Sequence, residues 1–196
     1  MKFTEIKRIL SAKTVGIAGC GGLGSNSAMA LARSGIGKLI IADFDMIEKG
    51  NLNRQFYFFD QVGQIKSYTL SDNLYLVNPK TEVRPHNVKL NTENIPEIFK
   101  NCDIIIEAFD NAEMKEMIIE TVLEKLSGIP LIVGSGMAGY GNSNCLKVRK
   151  IGNLYVCGDE NSEVGENNPP LAPRVGIVAN MQANVALEIL LGNTKS

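Results

Sequence analysis

The stretch Thr14 to Asp45, TVGIAGCGGLGSNSAMALARSGIGKLIIADFD, most narrows the folds open to this chain. Thr14 to Ala18 is a short apolar run that ends in Gly19-Cys20-Gly21-Gly22-Leu23-Gly24, after which small and apolar residues recur at helical spacing. A second apolar run, Lys38 to Ala42, delivers Asp43 19 residues after Gly24. Strand, glycine turn, helix, strand and carboxylate follow in the order of a dinucleotide fold. Gly19 permits the turn out of the strand, Gly21 lets the backbone approach a phosphate, and Gly24 lets the helix pack on the sheet. The first N–H groups of that helix face an incoming anion with the helix dipole in its favour, and Asp43 stands where a carboxylate takes ribose hydroxyls. A glycine-rich turn alone can be purely structural. With strand, helix and acid all in place, the segment predicts an adenine-nucleotide site.

The rest of the chain repeats the alternation. Lys2 to Ala12 reads as an amphipathic helix with Phe3, Ile6, Ile9 and Leu10 on one side. After Asp43, a polar segment carrying Phe56, Tyr57, Phe58 and Phe59 reads as an ordered functional loop. A helix is expected from about Gly63 to Val77, stopped by Asn78 and Pro79, then a strand over Thr81 to Val88. Asn94 is expected to cap a short helix over Ile95 to Asn101, with Pro96 in its first turn; Asp103 to Phe109 is a buried strand ending in Asp110 and Asn111. Glu113 to Leu126 continues as a helix, Gly128 breaks it, and Pro130 to Val133 returns as a strand into GSGMAGYGNSN. Cys145 to Cys157 reads as a β-hairpin turning at Gly152 and Asn153. The segment that follows has the composition of a mobile surface loop, and Leu171 to Leu191 is a final helix, packed or oligomeric rather than solvated. Alternating strands and helices specify an α/β, Rossmann-like, doubly wound and mostly parallel sheet, here with a C-terminal antiparallel hairpin and a last helix, in one domain over 1–196. Ligands of such sheets sit beyond the carboxyl ends of the strands, where Asp43, Asp110 and the glycine loop converge.

Composition narrows the chemistry. A net charge of −1, with 44% hydrophobic and 21% charged residues, shows no basic excess for nucleic-acid binding, so affinity for phosphate must be local. The first residues mix charges with apolar side chains, which predicts neither a signal peptide nor a membrane span, and a cytoplasmic protein. Cys20, Cys102, Cys145 and Cys157 form no Cys-x-x-Cys pair and read as reduced thiols. Asn51-Leu52-Asn53-Arg54-Gln55 places an arginine near the mouth of the site, where it can clamp phosphate oxygens or simply stay solvated. Lys66, at the start of a helix, reaches a phosphate only if it is not one more exposed lysine. Asp110, at the end of an apolar strand, is placed to hold Mg²⁺ and also to cap the next helix. Cys157 is a candidate thiol with no neighbour in sequence to lower its pKa, and His86, the only histidine, reads as structural. Asp43 with Asp45 shares a face but does not define a metal site.

GCGGLG, DFD, NLNRQ, GQIK, AFDN and the late LAPRVGIVANMQANVALEILLG resemble, in order, the signatures of the ThiF/MoeB-type adenylyltransferases of sulfur-carrier proteins, in the ubiquitin-activating-like superfamily. The resemblance runs from about Thr14 to Gly192, and the short length is similar to the compact ThiF-like branch of thiamine biosynthesis. It implies ATP-dependent adenylation of the C-terminal glycine carboxylate of a small ubiquitin-like carrier such as ThiS, with release of pyrophosphate. In that reading Gly19, Gly21, Gly22, Leu23 and Gly24 accommodate ATP and Asp43 takes the ribose. Asn51, Arg54, Gln55 and Lys66 contact the phosphates, Asp110 binds Mg²⁺, and the chain is a homodimer. The carrier tail is expected to pass the GSGMAGYG segment and the loop around Gly158 to Pro170.

Three departures from the family pattern carry expectations of their own. The two Cys-x-x-Cys pairs that hold zinc in many relatives are missing, so no zinc is expected. The N-terminal arginine that relatives lend across a dimer is either replaced by Arg8 or missing. The crossover-loop cysteine has Cys157 as its nearest candidate, without a motif to secure it. Two other classes stay open from the sequence: an NAD-dependent oxidoreductase, which leaves NLNRQ and GQIK unexplained, and a non-catalytic module that binds a ubiquitin-like protein.

Overall fold

The computed structural model describes residues 1–192. Five short strands in the first two-thirds of the chain, β1 (Thr14–Ala18), β2 (Lys38–Ala42), the polar edge strand β3 (Glu82–His86), β4 (Ile104–Glu107) and β5 (Leu131–Gly134), are each separated from the next by at least one helix. Those helices are α2 (Gly22–Ser34), α3 (Lys66–Val77), α4 (Asn94–Phe99) and α5 (Ala112–Lys125), with α1 (Phe3–Leu10) preceding β1. A hairpin of β6 (Lys147–Ile151) and β7 (Leu154–Gly158) and a long α6 (Ala172–Leu190) complete the described residues. All seven strands join one sheet in the order β3-β2-β1-β4-β5-β7-β6, parallel throughout except for the β6–β7 pair. The expected doubly wound sheet with an antiparallel hairpin is therefore what the chain forms. No helix among the described residues is long and apolar enough to cross a membrane.

Strand alternation builds two cores. Val15, Ile17, Leu39, Ile41, Ile104 and Ile106 face a layer made by α2, α3 and α6. Ala18, Ile40, Ala42 and Ile105 face α4 and α5. Both faces are covered, which is why these strands read as continuous apolar runs. On the first face, small residues let α2 and α6 approach closely enough for the Ser27 hydroxyl to donate to the Ala179 carbonyl at 3.0 Å. On the second, Gly16 makes room for Phe99: a Cβ there would lie 2.6 Å from the ring carbon Cδ1.

Several local expectations are corrected. The third helix begins at Lys66 rather than Gly63, because Gly63 sits at φ +89 in a turn and its N–H donates to Ile47 O. Asn94 is the first residue of α4 rather than its cap; Glu93 holds that position without a side-chain bond, and Asn91 Oδ1 accepts the N–H groups of Glu93 and Asn94 at 2.9 and 2.8 Å. Phe3 does not join the buried side of α1; it is exposed, with Lys7 over its ring. Asn111, not Asp110, caps α5 by accepting the N–H of Met114 at 3.0 Å. The polar segment after β7 has a buried anchor in Asp159.

The packing of Gly16 gives a test. Gly16→Ala should destabilise the protein by about 1–3 kcal/mol through overpacking. Combining it with Phe99→Leu should cost less than the sum of the two single changes by about 0.5 kcal/mol or more, read from urea midpoints. Strict additivity would show that Phe99 is not what Gly16 accommodates.

Candidate active site

The strand order reverses between β1 and β4, since the chain leaves β1 for β2 on one side and returns to β4 on the other. A crevice at the carboxyl ends of those two strands follows from this topology. Gly19, at φ +97, turns the chain out of β1 directly against β4, where a side chain would come within 2.9 Å of Ala108 O. Gly24 is closer still: any Cβ would overlap the Gly19 carbonyl oxygen. The first turn of α2 thus lies on the turn itself. Its N-cap, Gly21, supplies no side-chain hydrogen bond and no acidic residue occupies the first turn, so the helix dipole and N–H groups face the crevice uncompensated.

Asp43 already works on the protein. Its Oδ2 accepts the Cys20 N–H at 2.6 Å and its Oδ1 the Asp45 N–H at 2.8 Å, which fixes the glycine turn to the end of β2. Burial pushes its carboxyl up, opposed by those two N–H groups and by Lys66. Each oxygen keeps a lone pair for a ribose hydroxyl. Asp45, read from sequence only as a doubtful metal partner, instead pairs through Oδ2 with Lys66 Nζ at 2.8 Å. Lys66 is buried, with 6% of its surface exposed, and so is no solvated surface lysine. As the first residue of α3 it stands at the positive end of a helix dipole, and Asp45 offsets the repulsion.

The NLNRQ loop folds over the same turn. Asn51 Oδ1 accepts the Glu48 N–H at 3.0 Å, and the Asn51 carbonyl takes the N–H groups of Arg54 and Gln55, so the segment is locally rigid. Asn26 in α2 ties it down by donating to both Gly22 O and Arg54 O, at 2.6 and 2.9 Å. The Arg54 side chain lies across Gly22, with Cγ 3.5 Å from where a Cβ would stand. Its guanidinium donates only to Asn53 Oδ1 and Gly50 O and meets no carboxylate among the described residues. Gln55 is buried beside Gly21, and its Oε1 has no partner among the described residues. An orphaned acceptor at that position fits a site completed by a ligand donor. Tyr57, which sequence reading left as one aromatic among four, reaches Cys20 O at 2.8 Å and Lys66 O at 3.2 Å with its hydroxyl. Burial keeps that phenol neutral.

Asp110 is exposed, three residues beyond the end of β4, and does not cap α5, a task that falls to Asn111. Glu107, at the last position of β4, is fully buried. One Glu107 oxygen accepts the Phe109 N–H at 2.6 Å, and Lys115 Nζ binds both oxygens and Gly134 O at 2.8–2.9 Å. Burial raises the Glu107 carboxyl and Lys115 opposes the rise. An acid inside the apolar run IIIEAF was the available signal for this residue.

The thiol expectation does not survive the packing. Cys157 is fully buried and burial pushes its thiol up to about 12, as it does for Cys102; Cys20 is raised as well. A protonated, enclosed thiol is a poor nucleophile. Cys145 is the one cysteine with partial solvent access, and its Sγ lies 3.4 Å from Arg174 Nη2. Arg8 is exposed on α1, which packs beneath the amino ends of β1 and β2 and beside Gly35 at the far end of α2. Within one chain it stands at the edge opposite the glycine turn. His86 serves through its backbone, where its carbonyl accepts the Asp43 N–H at 3.1 Å.

A glycine turn, a carboxylate at the end of β2, an arginine that meets no carboxylate among the described residues and a buried lysine lie together at the switch point of a parallel α/β sheet, an arrangement suited to an anionic ligand. The sequence profile of the ThiF family matches residues 3–196, and the chain belongs to that family. It is 37% identical over 180 residues to the adenylyltransferase and sulfurtransferase MOCS3 of Caenorhabditis briggsae, covering 88% of this chain and 44% of that protein. It is 31% identical over 179 residues to a probable molybdopterin-synthase adenylyltransferase of Porphyra purpurea, covering 89% and 47%. The chain thus spans less than half the length of these relatives. In fold it is similar to the E. coli tRNA N6-threonylcarbamoyladenosine dehydratase TcdA, solved in complex with AMP, with a TM-score of 0.86 over 96% of this chain and 90% of that one at 19% identity.

The thiol assignments are open to a direct check. In the native protein a disulfide reagent such as DTNB should label Cys145 first, and Cys20, Cys102 and Cys157 only on unfolding. Rapid labelling of Cys157 in the folded state would restore it as a candidate nucleophile.

Proposed function

We propose that this chain is a single ATP-binding adenylation domain that activates the C-terminal glycine carboxylate of a small ubiquitin-fold sulfur carrier, of the ThiS kind, with release of pyrophosphate. The observation that carries the reading is the gathering of Arg54, Gln55 and the buried Lys66, paired with the exposed Asp45, around the uncapped N-terminus of α2. The names of the relatives support it, since MOCS3 and MoeZ are each named as both adenylyltransferase and sulfurtransferase.

A carboxylate and a triphosphate repel, so catalysis must come from holding and neutralising the phosphates. The N–H groups of α2 and the Gly21–Gly24 turn accept the nucleotide, and Asp43 takes the ribose hydroxyls. Arg54, which meets no carboxylate, offers a fork of donors to phosphate oxygens, while Lys66 contributes a point charge held in place by Asp45. Asn51 keeps the loop rigid and Gln55 offers its unsatisfied acceptor. Asp110 would hold a Mg²⁺ ion, which neutralises phosphate charge when bound with the nucleotide. No residue here need move a proton, since the attacking carboxylate is ionised at neutral pH. In this reading the protein is a cytoplasmic homodimer, and Arg8 acts only across the dimer, because in its own chain it lies at the far edge of the sheet.

An oxidoreductase accounts for the glycine turn and Asp43 but gives no work to Arg54, Lys66 or Asp110. A binding module accounts for the partner and not for the phosphate groups.

The test is ATP–pyrophosphate exchange with Mg²⁺, with and without a ubiquitin-fold carrier ending in Gly-Gly. Exchange should require the carrier and should fall about 100-fold or more in Asp110→Ala and Lys66→Met. Asp110→Ala should leave the urea midpoint within about 0.5 kcal/mol of the parent, since the side chain is exposed and caps nothing. Carrier-independent silence together with tight NAD binding would replace this reading with the oxidoreductase.

A further inference from the structure

Arg174, in the first turn of α6, has no role in the site described so far, yet it is 6% exposed. A cation there opposes the helix dipole, and a buried ion pair adds little net stability over an apolar side chain of similar size. Packing alone therefore does not explain it. Its guanidinium reaches two separate loops. One amino group donates to Gly141 O, in the loop between β5 and β6; the other pairs with Asp159, at the start of the loop between β7 and α6, and touches Cys145 Sγ at 3.4 Å. Asp159 is itself fixed, with Oδ1 accepting the N–H groups of Asn161 and Ser162 at 2.8 Å each. Although burial pushes its carboxyl up, those bonds and Arg174 bring it down to about 2, so the pair is ionised at any physiological pH.

The two loops are laced together above this pair. Gly139 N–H donates to Pro169 O at 3.0 Å, Ala138 N–H to Ser162 Oγ at 3.2 Å, and Glu160 N–H to Ser135 O at 3.0 Å. At Gly136 a side chain would overlap the Asp159 carboxylate, and at Gly139 it would overlap Asn168. Because β5 and β7 run parallel to β1 and β4, both loops emerge on the edge that carries the glycine turn. They also touch it. Asn53, beside Arg54, donates to Pro170 O at 3.2 Å, and Val175, next to Arg174, stands 3.0 Å from where a Gly22 side chain would be.

We infer that Arg174 is a positioning residue that straps the 135–146 and 159–171 loops together beside the nucleotide turn, and so sets the binding of an extended, glycine-ended peptide carboxylate rather than of ATP. The inference rests on the adenylation reading above. Arg174 touches no reacting group; the strap it holds forms the wall along which the tail must run to bring its carboxylate to the nucleotide. A fork that bonds a carbonyl on one loop and a carboxylate on the other fixes their spacing, which neither lysine nor an apolar residue does.

The experiment measures carrier-dependent ATP–pyrophosphate exchange for the parent protein, Arg174→Met and Arg174→Lys, with nucleotide affinity followed separately by a fluorescent ATP analogue. Arg174→Met should raise KM for the Gly-Gly carrier about tenfold or more while kcat at saturating carrier stays within about threefold and nucleotide affinity within about twofold, with Arg174→Lys between the two. An unchanged carrier KM in a folded, nucleotide-binding Arg174→Met, or equal losses in carrier and nucleotide binding, overturns the inference. Should that variant fail to fold, amide exchange on the parent decides: carrier bound with a non-hydrolysable ATP analogue should protect the amides of Ala138, Gly139, Asn161 and Ser162, and no added protection sinks the strap. A parent protein with no carrier-dependent exchange fails the adenylation reading itself, and the inference goes with it; a parent that exchanges with an indifferent Arg174→Met fails the strap alone.

Discussion

The carboxyl edge of the sheet hangs on one joint, the Asp43 carboxylate accepting the N–H groups of Cys20 and Asp45. A tight glycine turn has backbone donors that nothing local can satisfy, and Asp43 meets one of them from the neighbouring strand. In the same stroke it aligns Asp45, whose second task is to pair with Lys66 and hold the start of α3. Tyr57 closes the circle by spanning Cys20 and Lys66. The turn that would cradle phosphate and the lysine that would neutralise it are thus parts of one hydrogen-bonded unit rather than independent motifs.

The same device recurs along the edge. At the exits of β2, β4 and β7 stand Asp45, Glu107 and Asp159, and each pairs with a cation from the first part of a helix packed behind it: Lys66 of α3, Lys115 of α5 and Arg174 of α6. A basic residue near a helix N-terminus is electrostatically misplaced, and the buried Glu107 and Asp159, unlike the exposed Asp45, are poorly solvated. Setting one against the other offsets both penalties. It also cancels three negative charges that would otherwise oppose the approach of a polyanion. Arg54 stands outside this scheme, bonded only to neutral oxygens, and so remains available.

Membership of the ThiF family and the similarity in fold to TcdA separate two levels of inference. The scaffold is shared and does not fix the substrate; in the adenylation reading that choice falls to the loops after β5 and β7. Those loops and the start of α6 carry the features that the nucleotide chemistry leaves unexplained: a buried arginine, glycines that leave room for neighbouring side chains, and the one partly accessible thiol among the described residues.

Short-range physics made much of the architecture readable in advance. Buried parallel strands must be continuous apolar runs, a turn that meets Ala108 and Gly19 at van der Waals limits must be glycine, and crossover helices must separate parallel neighbours; these constraints write β1, β2, the turn, Asp43 and the hairpin at Gly152 directly into residue order. The places of Arg54, Lys66 and Asp110 followed from ordered motifs. Packing decided the rest. Whether Lys66 is buried, whether Asp110 or Asn111 caps α5, whether Cys157 faces the core, and which loops Arg174 joins all depend on partners from 3 to 33 residues away or on the far side of the sheet. Ion pairing and desolvation act through space, and a one-dimensional pattern records the residue that carries a charge but not the partner that makes the charge tolerable.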